Sequence, residues 1–238
     1  METMKLNLEI PASLVLPLAD RLKAYAAVDR IFSGELITTE ADTEKLVEAS
    51  DKECPIEPGT HFLYYGVEFV ALGMEQGGVL AVSAHTWNEI PFDEDGSNDW
   101  RKSSIKDALN GDFLECLDLD GLLPFDSDLT TDDGLKNYGT STDYVFLLSC
   151  DLYRKYRELM PEYDVSTWTL TPWSCHPSIA NLVRVVNAST GAFGHNYAYG
   201  AYGAAPACLF NPKSLKSATL GAGEGEKFKI LSETEKSK

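Results

Sequence analysis

Basic side chains are scarce in this chain, with 20 Lys and Arg against 37 Asp and Glu and a formal charge of −17. A surface so acidic repels phosphate backbones and anionic headgroups, which argues against nucleic-acid binding and against adhesion to anionic membranes. The acidity runs from Glu2 to Glu235 without a single block, the pattern of a solvated surface. No apolar run approaches the roughly 20 residues that a membrane-spanning helix needs. The opening apolar stretch, SLVLPLA, has no basic segment before it and is split by Pro17, so no secretory signal is predicted. The five cysteines (Cys54, Cys116, Cys150, Cys175 and Cys208) are odd in number, widely spaced and free of any CxxC pair, which argues against a disulfide framework or a zinc ribbon. These absences predict a chain made in a reducing cytoplasm and leaving it only as part of a larger particle.

The common catalytic signatures are also missing. There is no GxSxG, no GxxxxGK[ST], and no GxGxxG followed by a suitable helix. His61, His85, His176 and His195 have no spacing suited to a shared metal. Cys175 and His176 are adjacent, but a thiolate and its base must meet through space, and sequence neighbours usually point apart. Carboxylates are too numerous to single out a glycosidase pair.

What the chain does have is organised in three parts. Over residues 17–32, Leu18, Leu22, Tyr25, Val28 and Phe32 recur at helical spacing. A second helix is predicted over 40–49, and a proline-containing linker follows, so residues 1–58 read as a helical arm or docking segment. From His61 the pattern turns to short strands: FLYYGVEFVALG, a turn over 75–78, and VLAVSA. Ser103 or Ser104 caps a helix carrying Ile105, Leu109 and Phe113, and Asp118 to Asn137 reads as a long loop. TDYVFLLS reads as a buried strand, followed by a helix from Cys150 to Met160. STWTLTP, NLVRVV and AAPACLF read as further strands, and residues 212–238 as a polar tail with at most one late strand, FKIL.

Two segments stand out as candidate sites. The acidic loop places Asp93, Asp95 and Asp99 at alternate positions, the oxygen-rich pattern a calcium loop requires, although Gly96 falls early for an EF-hand and no closing glutamate follows. Residues 187–205, NASTGAFGHNYAYGAYGAA, consist almost wholly of Gly, Ala, Tyr, Asn and Ser. That is either a glycine-rich connection or a contact surface in which tyrosines provide large amphipathic area at low entropic cost. Trp173, in a loop beside Ser174 and Pro177, is a candidate stacking surface, and Trp168 a candidate core residue.

From about Phe62 to Phe210 the order of motifs resembles an uncharacterised domain family of gut bacteria and their phages. The matching pieces are Trp100, Ser103, Ser104, Leu109, Asn110 and Phe113; then Thr142, Asp143 and Val145 to Ser149; then Trp168, Thr171 and Pro172; and last Gly203, Pro206 and Ala207. That family is similar to the C-type-lectin-like group, which includes formylglycine-generating-enzyme-like domains and the variable proteins of diversity-generating retroelements. Two departures stand out, since Leu170 and Ala205 occupy positions where the family pattern has arginine. Cys175 and Cys208 do not match the reactive pair of the formylglycine-generating enzymes.

The resemblance implies an α+β, C-type-lectin-like domain over 59–211, built of short antiparallel strands and two helices. It implies a ligand face made by Trp173, His195, Asn196, Tyr197, Tyr199 and Tyr202. The expected function is a non-enzymatic binding module without a cofactor, calcium excepted. It would be a virion-associated receptor-binding or decoration protein, holding other virion proteins through its arm and a host-surface glycan or protein through its face, with no membrane insertion, as a homo-oligomer. The alternatives are a structural capsid or tail accessory whose Gly/Tyr segment meets a neighbouring subunit, and a glycan hydrolase using an unrecognised carboxylate pair.

Overall fold

The computed structural model describes residues 54–219, 228–231 and 235, which belong to one compact unit, Cys54–Lys238. The two helices expected over 17–32 and 40–49 lie outside the described residues. The described part is strand-rich with three short α-helices, a mixed α+β architecture.

A hairpin pair starts the first sheet: β1 (His61–Tyr64), β2 (Val67–Glu75) and β3 (Gly78–Ser83). Each reversal takes two residues with positive φ, Tyr65 and Gly66 in one and Gln76 and Gly77 in the other. Two-residue turns of that kind match the natural twist of paired strands. The apolar run expected as one strand from Phe62 to Gly73 is therefore broken at Tyr65. A register shift in β2 falls between Ala71 and Gly73, where a side chain on Gly73 would press on the Tyr156 ring. Outward of β3 come β13 (Ala207–Phe210) and β5 (Leu122–Leu123), and β8 (Val145–Phe146) also pairs with β13. The opposite edge is β14 (Phe228–Ile230), which pairs with β1. The region read as a polar tail thus contributes this strand as well as helix α3 (Pro212–Thr219).

Phe62, Tyr64, Phe69, Phe210 and Phe228 interlock beside this sheet, with ring centroids from 4.4 to 6.2 Å apart. Each such pair adds about 0.5–1.5 kcal/mol beyond simple burial.

The second sheet runs β11 (Phe193–Tyr197), β10 (Leu182–Val186), β9 (Thr167–Pro172), β12 (Ala201–Gly203), β4 (Glu89–Pro91). A separate ribbon pairs β6 (Phe125–Asp128) with β7 (Thr140–Asp143), so the stretch read as a long loop holds β5 and β6. TDYVFLLS is likewise divided, its first residues in the ribbon and Val145–Phe146 in the first sheet.

Helix α1 (Ser104–Ala108) begins where Ser103 Oγ accepts the Lys106 N–H, and it continues through a wider turn, Leu109–Phe113. Ile105, Leu109 and Phe113 are all buried, as their spacing predicts. Helix α2 (Cys150–Lys155) is capped by Ser149 and gives way to a tighter turn at Arg157–Leu159, shorter than the helix expected to Met160.

Candidate functional site

The Gly/Tyr segment is a pair of strands rather than a loose connection. Strand β11 forms one edge of the second sheet, and the chain then crosses the sheet's end to become β12, on the far side of β9. Small residues make the crossing possible: Ala198 is fully buried, its N–H donating to Asn181 O and its carbonyl accepting from Asp93 N.

Directly opposed residues of antiparallel strands share a face. Arg184 lies opposite His195 and Leu182 opposite Tyr197. The Arg184 guanidinium sits 4.3 Å from the Trp173 ring centre, and the His195 ring 4.4 Å from it. Arg184 is fixed by Asp132 at 2.6 Å and by Gly194 O at 3.3 Å. A guanidinium held over an indole gains cation–π attraction, and its anchors restrict the freedom of both side chains. Trp173, Arg184 and His195 thus form one prearranged platform. Arg184 escaped the sequence reading, although an arginine alternating with valines in NLVRVV is the signal of a strand with one outward face.

Tyr197 and Tyr199 stack at 5.2 Å with their planes 7° apart. Tyr199 is 59% exposed, more than any other large apolar or aromatic side chain described, and Tyr197 is 47% exposed. Tyr199 lies beside Gly96 of the acidic loop. Asn196 and Tyr202 do not join this surface. Asn196 faces Val183 on the other side of β11, and its amide is bonded to the Tyr202 hydroxyl. Tyr202 in turn packs edge-on against the buried Trp168 at 4.8 Å. Four of the six expected face residues are therefore at the surface or in its platform, and two brace it from behind.

The acidic loop is built by its own hydrogen bonds. Asp93 is buried and accepts from the backbone N–H groups of Ser97 and Ser104. Asp99 accepts from Arg101 through both carboxylate oxygens at 2.9 and 2.7 Å. Burial works to raise the Asp99 pKa, but the Arg101 guanidinium outweighs it and holds the carboxyl below its ordinary value. Asp95 is exposed. The three aspartates expected to share a calcium ion are thus engaged elsewhere or apart, and no group of three metal-ligating side chains occurs among the described residues.

Asn98 pins this loop to the β9–β10 connection. It is fully buried, its amide nitrogen donates to Ser174 O and Leu182 O at 2.8 Å each, and its oxygen accepts from the Tyr138 hydroxyl at 2.7 Å. Burial pushes the Tyr138 phenol up to about 12 from its usual 10. A raised phenol pKa contributes stability that is complete below pH 10 and is lost as pH climbs from 10 towards 12. Denaturation midpoints measured across that range should fall for the wild type, and Tyr138→Phe should flatten part of the fall.

Leu170 and Ala205, the two departures from the arginine pattern noted in the sequence, lie in closed surroundings. Both are buried in the hydrophobic core, so their apolar side chains suit their surroundings. His176 Nδ1 bonds Ser178 Oγ at 2.8 Å. Cys208 is fully buried and its thiol is pushed up by that burial, the opposite of an activated nucleophile. Comparison with known proteins finds no matching family model, no matching curated protein and no matching solved structure.

Proposed function

We propose that this protein is a non-enzymatic binding module with a C-type-lectin-like domain, and that Tyr197, Tyr199, His195 and Trp173 receive its ligand. The observation that carries the reading is the exposed Tyr197–Tyr199 stack beside the Trp173–Arg184–His195 platform. Exposed aromatic rings already held in place lose little entropy on binding and present both apolar faces and hydroxyl groups. Such a surface suits a glycan or a polar protein segment. A receptor-binding or decoration protein of a virion would use an outward-facing binding surface of this kind.

A second reading, a structural accessory contacting a neighbouring subunit, draws on the position of β11 at the edge of its sheet. Edge strands offer backbone groups to which another chain can pair.

One pair of substitutions separates the two. Tyr197→Ala with Tyr199→Ala leaves Tyr202 alone, because that ring packs on Trp168. Binding to a glycan array or to host cells should weaken by about tenfold or more, since buried aromatic anchors dominate interfaces, with the thermal midpoint and oligomeric state unchanged. A change in oligomeric state with ligand capture intact would support the accessory reading. Product release from any array sugar would instead reveal a hydrolase.

A further inference from the structure

A cleft of about 400 Å³ opens between strand β6 and the first turn of helix α2, and its lining includes Asp132, the carboxylate that also holds Arg184 of the platform. The geometry points to a linear polyamine as the ligand of this cleft: cationic nitrogens for its rim, methylenes for its floor.

The floor is apolar, with Phe125, Leu147 and Leu170 all buried and all lining it. One polar group interrupts it. Ser127 is 3% exposed, lines the same cleft, and its Oγ has no hydrogen-bond partner. A buried hydroxyl left unpaired costs about 1–3 kcal/mol, and a ligand N–H removes that cost. Strand alternation explains the rest of the wall: Phe125 and Ser127 turn inward, while Asp126 and Asp128 are exposed at the rim.

The rim is dominated by hydrogen-bond acceptors, with five carboxylates and one guanidinium, that of Arg154. Three of the carboxylates are neutralised, Glu75 by Lys155, Asp132 by Arg184 and Asp151 by Arg154. Asp126 and Asp128 have no ion-pair partner among the described residues. Asp126 accepts only from the Thr142 hydroxyl, at 2.5 Å, apart from the backbone. Asp128 accepts from the Thr130 N–H and hydroxyl, which hold its carboxyl below the ordinary value, so it is charged at neutral pH. Two carboxylates without an ion-pair partner, of which Asp128 feels only the weaker attraction of Lys136, suit charges separated by methylenes above an apolar floor better than a compact dication. The carboxylates are not gathered as a metal site requires.

The probe is spermidine, titrated calorimetrically into the full-length protein at fixed ionic strength. Saturable binding at one site is expected. Asp126→Asn with Asp128→Asn should weaken it about tenfold or more. Asp107→Asn with Asp112→Asn removes the same charge from exposed positions outside the cleft lining, and should leave affinity unchanged. Ser127→Ala should weaken binding several-fold while leaving the ligand-free thermal midpoint unchanged or higher, because it deletes an unpaired buried hydroxyl. Several results would overturn the proposal: no saturable binding, equal losses in the two double variants, wild-type affinity in Ser127→Ala, or maltose or magnesium binding with the same dependence on Asp126 and Asp128. None of these bears on the tyrosine face, whose ligand is tested separately.

Discussion

Asp143→Ala should lower the unfolding free energy by about 3 kcal/mol, a large part of the 5–15 kcal/mol that holds a typical domain. Asp143 is buried at the end of the β6–β7 ribbon. One of its oxygens accepts from the Trp100 indole N–H at 2.9 Å and from Ser141 Oγ at 2.7 Å, and the other faces Lys106 Nζ at 3.1 Å. Truncation strips an ammonium of its counter-charge and leaves an indole N–H and a hydroxyl without their acceptor. Loss of one partner from a buried ion pair costs about 3–5 kcal/mol. The lower end applies because the Lys106 side chain keeps 23% of its exposure and can be hydrated in part. Asp143→Asn retains an acceptor for Trp100 and should cost less, about 1–3 kcal/mol. Urea unfolding should show a lower midpoint at an unchanged slope for both. A loss under about 1 kcal/mol for Asp143→Ala would mean that this carboxylate does not organise the junction between α1, the ribbon and the core.

Local features of this fold were legible in the sequence, and features made by distant partners were not. The turn over 75–78, the serine caps of α1 and α2, and the buried face of Ile105, Leu109 and Phe113 depend on neighbours a few residues away. The division of FLYYGVEFVALG was announced by the Tyr65-Gly66 pair, whose positive φ values suit a two-residue turn. The Gly/Tyr segment was read as a candidate surface, but composition cannot say which side of a strand a residue takes. Strand register decides it: one step along β11 separates exposed His195 and Tyr197 from Asn196, which is turned towards Tyr202. The Arg184–Trp173 contact joins β10 to the connection that follows β9, and the Arg184–Asp132 pair spans 52 positions. The aspartates of the acidic loop matched a ligand pattern because backbone N–H groups and a calcium ion ask for the same oxygens. Only the folded loop reveals that Ser97, Ser104 and Arg101 are their partners.

Asn98→Ala should cost about 3 kcal/mol of stability and also weaken ligand capture, although Asn98 is fully buried and touches no ligand. Its amide nitrogen joins two carbonyls, Ser174 O and Leu182 O, that flank Trp173, and its oxygen receives the Tyr138 hydroxyl. Alanine takes a donor from Ser174 O and the acceptor from the half-buried phenol, at about 1–3 kcal/mol for each group that water cannot reach, while Leu182 O keeps the Trp173 N–H. The loop it anchors bonds through Asp93 N to Ala198 O, the residue between the two stacked tyrosines. Release of the loop therefore lets Tyr197 and Tyr199 move apart and restores the entropic cost that their fixed stack avoids. Asn98→Asp is the sharper variant: a carboxylate is nearly the same shape, cannot donate to Ser174 O or Leu182 O, and brings a buried charge towards two carbonyl oxygens. It should be at least as destabilising as alanine near pH 7 and recover part of its stability as pH falls and the new carboxyl is protonated. Thermal midpoints and affinity measured together decide the matter. If affinity is unchanged in variants that remain folded, the tyrosine stack does not depend on the acidic loop beneath it.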